Sequence, residues 1–406
     1  MRRGSDILGV LGLLAGLLTL GAGGCDVQPA AAGSDGASSA EAEKAEESEP
    51  KADQEPTSSE ESQAVSADGE VSVERMMDPT VPLPKQARRA LQAIDFDPKP
   101  KDLTRDAHYW VSNENHHYLI RDQIADHQGL FVGVGTDQVY MMAAWAKSPI
   151  ILPMDFDEQI RNVHHLYGVV LKRTDDPQTF IDRWSDKHKE KIEGWIEEDY
   201  GDERAAELKK TLGMANDHIY YRLRTTAEQY REAEIPCFVT DQSQYGFIKG
   251  LWERGRVVPL RGNLIGDTTM LQMAETLKDL GLKLGLLYTS NAEQYFEFTP
   301  EYRRNIVVQP FSRESLVLRT RPMEALGVAE GAKYHYNLQE GRNFADWMQS
   351  NHTTKVSHLM LWHKSDLEAT EGVSFIRKEA PHSDNAPDIA GVGDYDLEID
   401  DPTDTP

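Results

Sequence analysis

Short, uninterrupted apolar runs alternating with helix-length periodic segments constrain this chain more than any other feature. Residues 130–134 (LFVGV) form one such run and 150–154 (IILPM) the next. Between them, 139–147 reads as a helix. Beyond them, Ile160, Val163, His164, Tyr167, Val170 and Leu171 recur at spacings of three and four through 158–173, which is one helix face. The rhythm returns later, with a helix expected over 242–254, a strand over 257–260, a helix over 269–280 and a strand over 284–288. The apolar triplets 306–308 and 316–318 read as further strands. A strand that is apolar along its whole length needs cover on both faces, which is the situation of a parallel sheet.

The expected fold class is therefore α/β, a doubly wound, mostly parallel, Rossmann-like sheet. Residues 177–233 carry helical, highly charged sequence without a strand signal, longer than an ordinary crossover, and read as a helical insertion.

Composition sets the expected borders of this unit. Of the 7 Trp, 15 Tyr and 11 Phe, all but Tyr395 lie between Phe96 and Phe375. The net charge of −25 is equally uneven. Residues 26–80 hold 15 acidic and 3 basic side chains, and 379–406 hold 9 acidic and none basic. Segments with so little to bury cannot offset the entropy of ordering. Disordered acidic flanks are expected over 26–89, as a tether, and over 379–406, as a tail, around a folded domain at 90–378. The acidic balance and the export signal described next argue against nucleic acid as a partner.

The first 25 residues read as an export signal rather than a fold element. Arg2 and Arg3 precede an apolar run over 7–20, too short for a comfortable permanent span, and small residues then lead to Cys25. This order resembles a bacterial lipoprotein signal with its lipobox, although Ala22 stands where an aliphatic residue is favoured. The resemblance implies lipidation of Cys25, the membrane as a partner through that lipid, and a location in the bacterial cell envelope. Cys237, the other cysteine, sits in an apolar stretch and reads as a buried, inert thiol.

In open α/β sheets ligands bind at the carboxyl ends of the strands. Three such ends are polar here: Gly133, Gly135, Thr136 and Asp137 after the first strand, Asp155 and Asp157 after the second, and Ser290 with Asn291 after the strand 284–288. Glycines let a backbone approach a ligand, and an acid 22 residues beyond Gly133 suits ribose hydroxyls. Thr136 and Asp137 equally suit a helix cap, as do Thr240 and Asp241 before another expected helix. The polar residues 112–115 (SNEN) fit either a pocket mouth or a cap.

Strand, GxG, helix, strand and acid together resemble the first half of class I S-adenosylmethionine-dependent methyltransferases. The resemblance implies S-adenosylmethionine as the cofactor, Gly133 and Gly135 at the turn, and Asp155 or Asp157 on the ribose. It places Arg261 to Asn263 near the adenine edge, and Ser290 and Asn291 toward the methyl acceptor. Asp137 stands where that family has a third glycine, and Phe131 where it has an acid. The phrases GVGTDQVY, SNAEQYF and YHYNLQ also resemble an uncharacterised group of bacterial envelope proteins, which implies no activity.

Other readings remain open at this level. Asp155 and Asp157 could hold a divalent ion in a glycosyl or phosphoryl transferase. A haloacid dehalogenase-like phosphatase would need a later acidic motif, and its only counterpart, Asp394 and Asp396, falls in the expected tail. A tethered binding protein without catalysis is the third possibility, with a protein partner that the sequence leaves unnamed. The neighbours in the pairs His116–His117 and His164–His165 point different ways and make no shared site alone, and His335, His352, His358 and His363 lack metal-ligand spacing. The function expected from the sequence is thus a lipid-anchored envelope protein that binds a small nucleoside-type ligand.

Overall fold

A computed structural model describes residues 72–103, 107–322, 326–350, 352–362 and 372–381. The expected leader, the lipidation at Cys25, the tether as far as residue 71 and the tail from 382 onward lie outside the described residues.

Seven strands build one sheet: Leu130–Val134 (β1), Ile151–Asp155 (β2), Leu260–Arg261 (β3), Leu284–Ser290 (β4), Phe311–Arg321 (β5), His335–Glu340 (β6) and Val373–Ile376 (β7). Their order is β3-β2-β1-β4-β5-β6-β7. The first five run parallel, with β1 between β2 and β4. β6 is antiparallel to β5, and β7 is parallel to β6. The chain winds from β1 out to β3, then returns to β4 on the other side of β1. This is the doubly wound, Rossmann-like α/β fold, and its direction reverses between β1 and β4.

Alternation along the strands divides the core in two. Phe131, Ile151, Leu286 and Tyr288 meet the helices Asp137–Ala146, Glu158–Leu171 and Gln242–Glu253 on one face. Leu130, Val132, Leu152 and Leu287 meet Thr269–Asp279, Pro300–Val307 and Gly341–Gln349 on the other. All ten residues of Asp137–Ala146 are buried, since this helix packs against both β1 and the helix Gln242–Glu253. After Asp137 and Gln138 its sequence is apolar all round, as such a position demands.

The expected insertion consists of Pro177–Arg183, Lys189–Asp199 and the 31-residue helix Asp202–Glu232. Leu208, Leu212, Ala215, Ile219 and Leu223 form the buried stripe of that long helix, which packs on Glu158–Leu171.

Two expectations are corrected. Residues 72–89 belong to the fold and not to the tether. Val73–Met77 and Lys85–Gln92 are helices, and Met76, Leu83, Ala87 and Leu91 are buried in the second core. The buried Arg256 locks this segment down by donating to the carbonyls of Met76 (2.6 Å), Val81 (2.7 Å) and Pro149 (3.2 Å). A few apolar side chains among lysines, arginines and prolines suffice, and average composition does not register them. Residues 306–308 are likewise not a strand. Thr299 caps the helix Pro300–Val307 by accepting from the Tyr302 amide at 3.2 Å, with Pro300 in its first turn. A three-residue apolar run cannot by itself distinguish the end of a buried helix from a strand.

Candidate functional site

The turn that leaves β1 has one conformation only glycine tolerates well. Gly135 has φ of +108°, and a Cβ there would fall 2.1 Å from Nε2 of Gln138. The Gly135 carbonyl lies 2.8 Å from Nε2 of His164, whose Nδ1 lies 2.8 Å from the Tyr140 hydroxyl. A carbonyl can only accept, so Nε2 carries the proton and Nδ1 accepts from the tyrosine. Burial pushes His164 down to about 4, against the opposing pull of the Gly135 carbonyl, so the ring stays neutral and the turn is braced from below. His165 faces elsewhere, toward the Tyr200 hydroxyl at 3.1 Å.

Above this turn lies a cavity of about 260 Å³ at the carboxyl ends of β1 to β4. Gly135 and Thr136 line it from β1, Asp155 and Phe156 from β2, Asn263 to Ile265 from β3, and Ser290 and Asn291 from β4. Tyr109, Val111, Ser112, Asn113, Tyr295 and Phe296 contribute further walls. The sequence-expected residues Gly135, Thr136, Asp155, Asn263, Ser290 and Asn291 therefore converge on one space. Lysine, arginine and histidine are absent from its described lining, and Asp155 is its single carboxylate. Burial, with the neighbouring Asp157 charge, raises the Asp155 carboxyl to about 7, although it accepts from the Asp157 amide at 3.0 Å.

Three expected site residues serve elsewhere. Gly133 lies within β1, where an added Cβ would press on Val139 and Phe131, so its role is packing. Asp137 points away from the cavity. Its carboxylate accepts from the Ser112 amide at 3.0 Å and from Nε of Arg222 at 2.7 Å. Burial opposes its ionisation, but the Arg222 charge and these hydrogen bonds hold it below the usual aspartate value. The cap expected of the Thr136–Asp137 pair is not made, since Thr136 forms no side-chain cap bond. In the second copy of that pair, Asp241 does cap its helix through the Gln244 amide at 2.9 Å. Asp157 is also a cap. It accepts from the Gln159 amide at 2.9 Å, and its other oxygen lies 2.6 Å from Nδ1 of His108. Asp155 and Asp157 thus face different neighbours, and no group of three metal-ligating side chains occurs among the described residues. Arg261 turns from the cavity toward Glu158, at 3.0 Å, while Gly262 and Asn263 line it.

Two buried acids shape the walls: Asp97, which the sequence does not single out, and Glu114, from the polar stretch 112–115. Asp97 accepts from the amides of Asn263 (2.8 Å) and Thr268 (2.9 Å), folding the loop that carries Asn263 to Ile265. A lone aspartate ahead of the first strand carries no sequence signal for this. Glu114, fully buried, accepts from Ser290 Oγ (2.7 Å), Thr320 Oγ1 (2.5 Å) and the Tyr288 hydroxyl, with His117 Nε2 at 3.5 Å. Burial works against its charge, yet His117 and the hydroxyls hold its carboxyl below the ordinary glutamate value. The bond to Glu114 ties Ser290 in a left-handed conformation, φ +54°, at the end of β4. Of the polar stretch 112–115, Ser112 and Asn113 reach the cavity and Glu114 lies beneath it.

Cys237 is fully buried, and burial pushes its thiol up to about 11, as befits an inert packing residue. No described helix is long and apolar enough to cross a membrane.

The comparison with curated proteins gave no match. Residues 109–377 match the family model described as "Domain of unknown function (DUF7790)", a span that contains every cavity-lining residue and stops short of Asp97 and the first two helices. With more than half of its length under that match, the chain belongs to the DUF7790 family.

Proposed function

We propose that the cavity binds a small, phosphate-free ligand of nucleoside type, and that S-adenosylmethionine and adenosine are the first compounds to test. One observation carries this reading: the single carboxylate of the cavity, Asp155, stands beside the left-handed glycine turn at the point where the strand order reverses. A carboxylate there can accept two ribose hydroxyls. Phe156, Leu264 and Ile265 offer apolar contact for a flat base, and Asn263 and Asn291 offer polar contact at its edges. A lining without cations is unsuited to phosphate next to the turn.

Binding is favoured over catalysis because the buried hydroxyls and acids around the cavity are committed to one another, Ser290 to Glu114 above all. The same residues suit the methyltransferase resemblance at the cofactor side, and methyl transfer would require an acceptor in the space near Ser290. The export signal and Cys25 make the reading one of a lipid-anchored envelope protein that presents this cavity outside the cytoplasm.

Calorimetric titration of the full chain tests the ligand class. Heat with adenosine or S-adenosylmethionine is expected, with affinity reduced about tenfold or more in Asp155→Ala. Absence of heat with both compounds at millimolar concentration refutes the reading.

A further inference from the structure

A second cavity, of about 220 Å³, shares Tyr295 and Phe296 with the first and opens at the carboxyl end of β5. Its charged lining consists of Glu293, Glu297, Arg321 and Lys355. Most of these charges are paired. Glu293 is buried and accepts from Arg319 Nε at 2.8 Å, the Tyr302 hydroxyl at 2.5 Å and Thr289 Oγ1 at 3.0 Å. Glu297 pairs with Lys355 at 2.7 Å at the rim.

Arg321, the last residue of β5, is the exception. Its Nε and Nη1 are buried and have no hydrogen-bond partner among the described residues. Guanidinium N–H groups withdrawn from water without an acceptor are costly, and native structures rarely leave them so. An N–H of the charged guanidinium donates to a carboxylate or phosphate oxygen more strongly than to any neutral acceptor. The Glu293 carboxylate beside it is already neutralised by Arg319, so it offers little repulsion to an incoming anion.

We propose that the second cavity is an oxyanion site, which takes one carboxylate or phosphate group on Arg321, with Lys355 and Ser357 lining the same space. The assignment is independent of the nucleoside reading, since it uses none of the residues that carry that reading.

Inorganic phosphate and acetate, titrated separately into the full chain, are the probes, followed by calorimetry and by thermal melting. Saturable binding of at least one of them is expected, with the anion raising the melting temperature. The stronger of the two identifies the group. Arg321→Met is expected to weaken binding about tenfold or more, and Arg321→Lys, which keeps the charge but loses the planar set of N–H donors, several-fold. Asp155→Ala is expected to bind the anion like the unsubstituted chain. Should Arg321→Met fail to fold, Arg321→Lys decides the matter alone. Failure of both anions to bind at tens of millimolar, or unchanged affinity in a folded Arg321 variant, overturns the site.

Discussion

Asp155 illustrates how a single residue ties the site to the stability of the whole. Its carboxyl rises from an ordinary 3.8 to about 7 because the end of β2 buries it beside Asp157. The folded protein therefore holds this proton more tightly than the unfolded chain does. The resulting stabilisation is present below about 3.8 and is lost as pH rises through about 7. His164 acts with opposite sign. Its folded value near 4 lies below the ordinary 6.5, so its contribution is present above 6.5 and is lost as pH falls through about 4. Asp155→Asn is accordingly expected to raise the melting temperature by a few degrees at pH 8 and by little at pH 4. Melting curves across that range check this, and an equal effect at both ends contradicts the buried carboxyl. Ligand affinity should also increase between pH 6 and 8, as the carboxylate that accepts hydroxyls becomes the dominant form.

At the scale of elements, the central interaction is Asp137 with Arg222, which fastens the long helix Asp202–Glu232 to the first helix of the site. Arg222 also donates to the Glu114 carbonyl at 2.9 Å, so the insertion holds the segment that closes the cavity. Arg222→Met leaves a buried carboxylate without its cation and is expected to destabilise by about 3–5 kcal/mol in denaturant titrations. Adding Asp137→Asn should recover part of that loss, whereas additive losses would show that the two side chains do not interact.

How legible each element was follows from what its faces bury. β1, β2 and β4 are apolar on both faces and stand out in the sequence. β6 (HYNLQE) does not, because Asn337 and Gln339 are buried on purely polar business, accepting from Arg319 Nη1 at 2.9 and 3.0 Å. A hydrophobic pattern cannot announce a strand whose inner face solvates an arginine. Asp137 was misread for a related reason. Its position just past the glycine turn suggests a ligand or a cap, and only the partner 85 residues away, Arg222, reveals an ion pair.

For the whole molecule, the charge takes on a narrower meaning. Of the net −25, 21 charges come from residues 26–80 and 379–406, so the acidic balance describes the flanks far more than the cavity. In a bacterial host, metabolic labelling with a palmitate analogue is expected to mark the full chain and to disappear in Cys25→Ser. Labelling that persists in the variant contradicts lipidation at that residue. The polar ends of β1, β2 and β4 that line the cavity are legible in the sequence. The part played by Asp97, and by Glu114 within the stretch 112–115, is not legible there, since those contacts join positions more than 150 residues apart.

The account stands on the cavity at the ends of β1 to β4, and diffraction from crystals of the full chain grown with saturating adenosine tests it most directly. Density is predicted in that cavity, with the ribose hydroxyls on the Asp155 carboxylate and the base against Phe156 or Ile265. An empty cavity under those conditions, or adenosine bound away from Asp155, would contradict it.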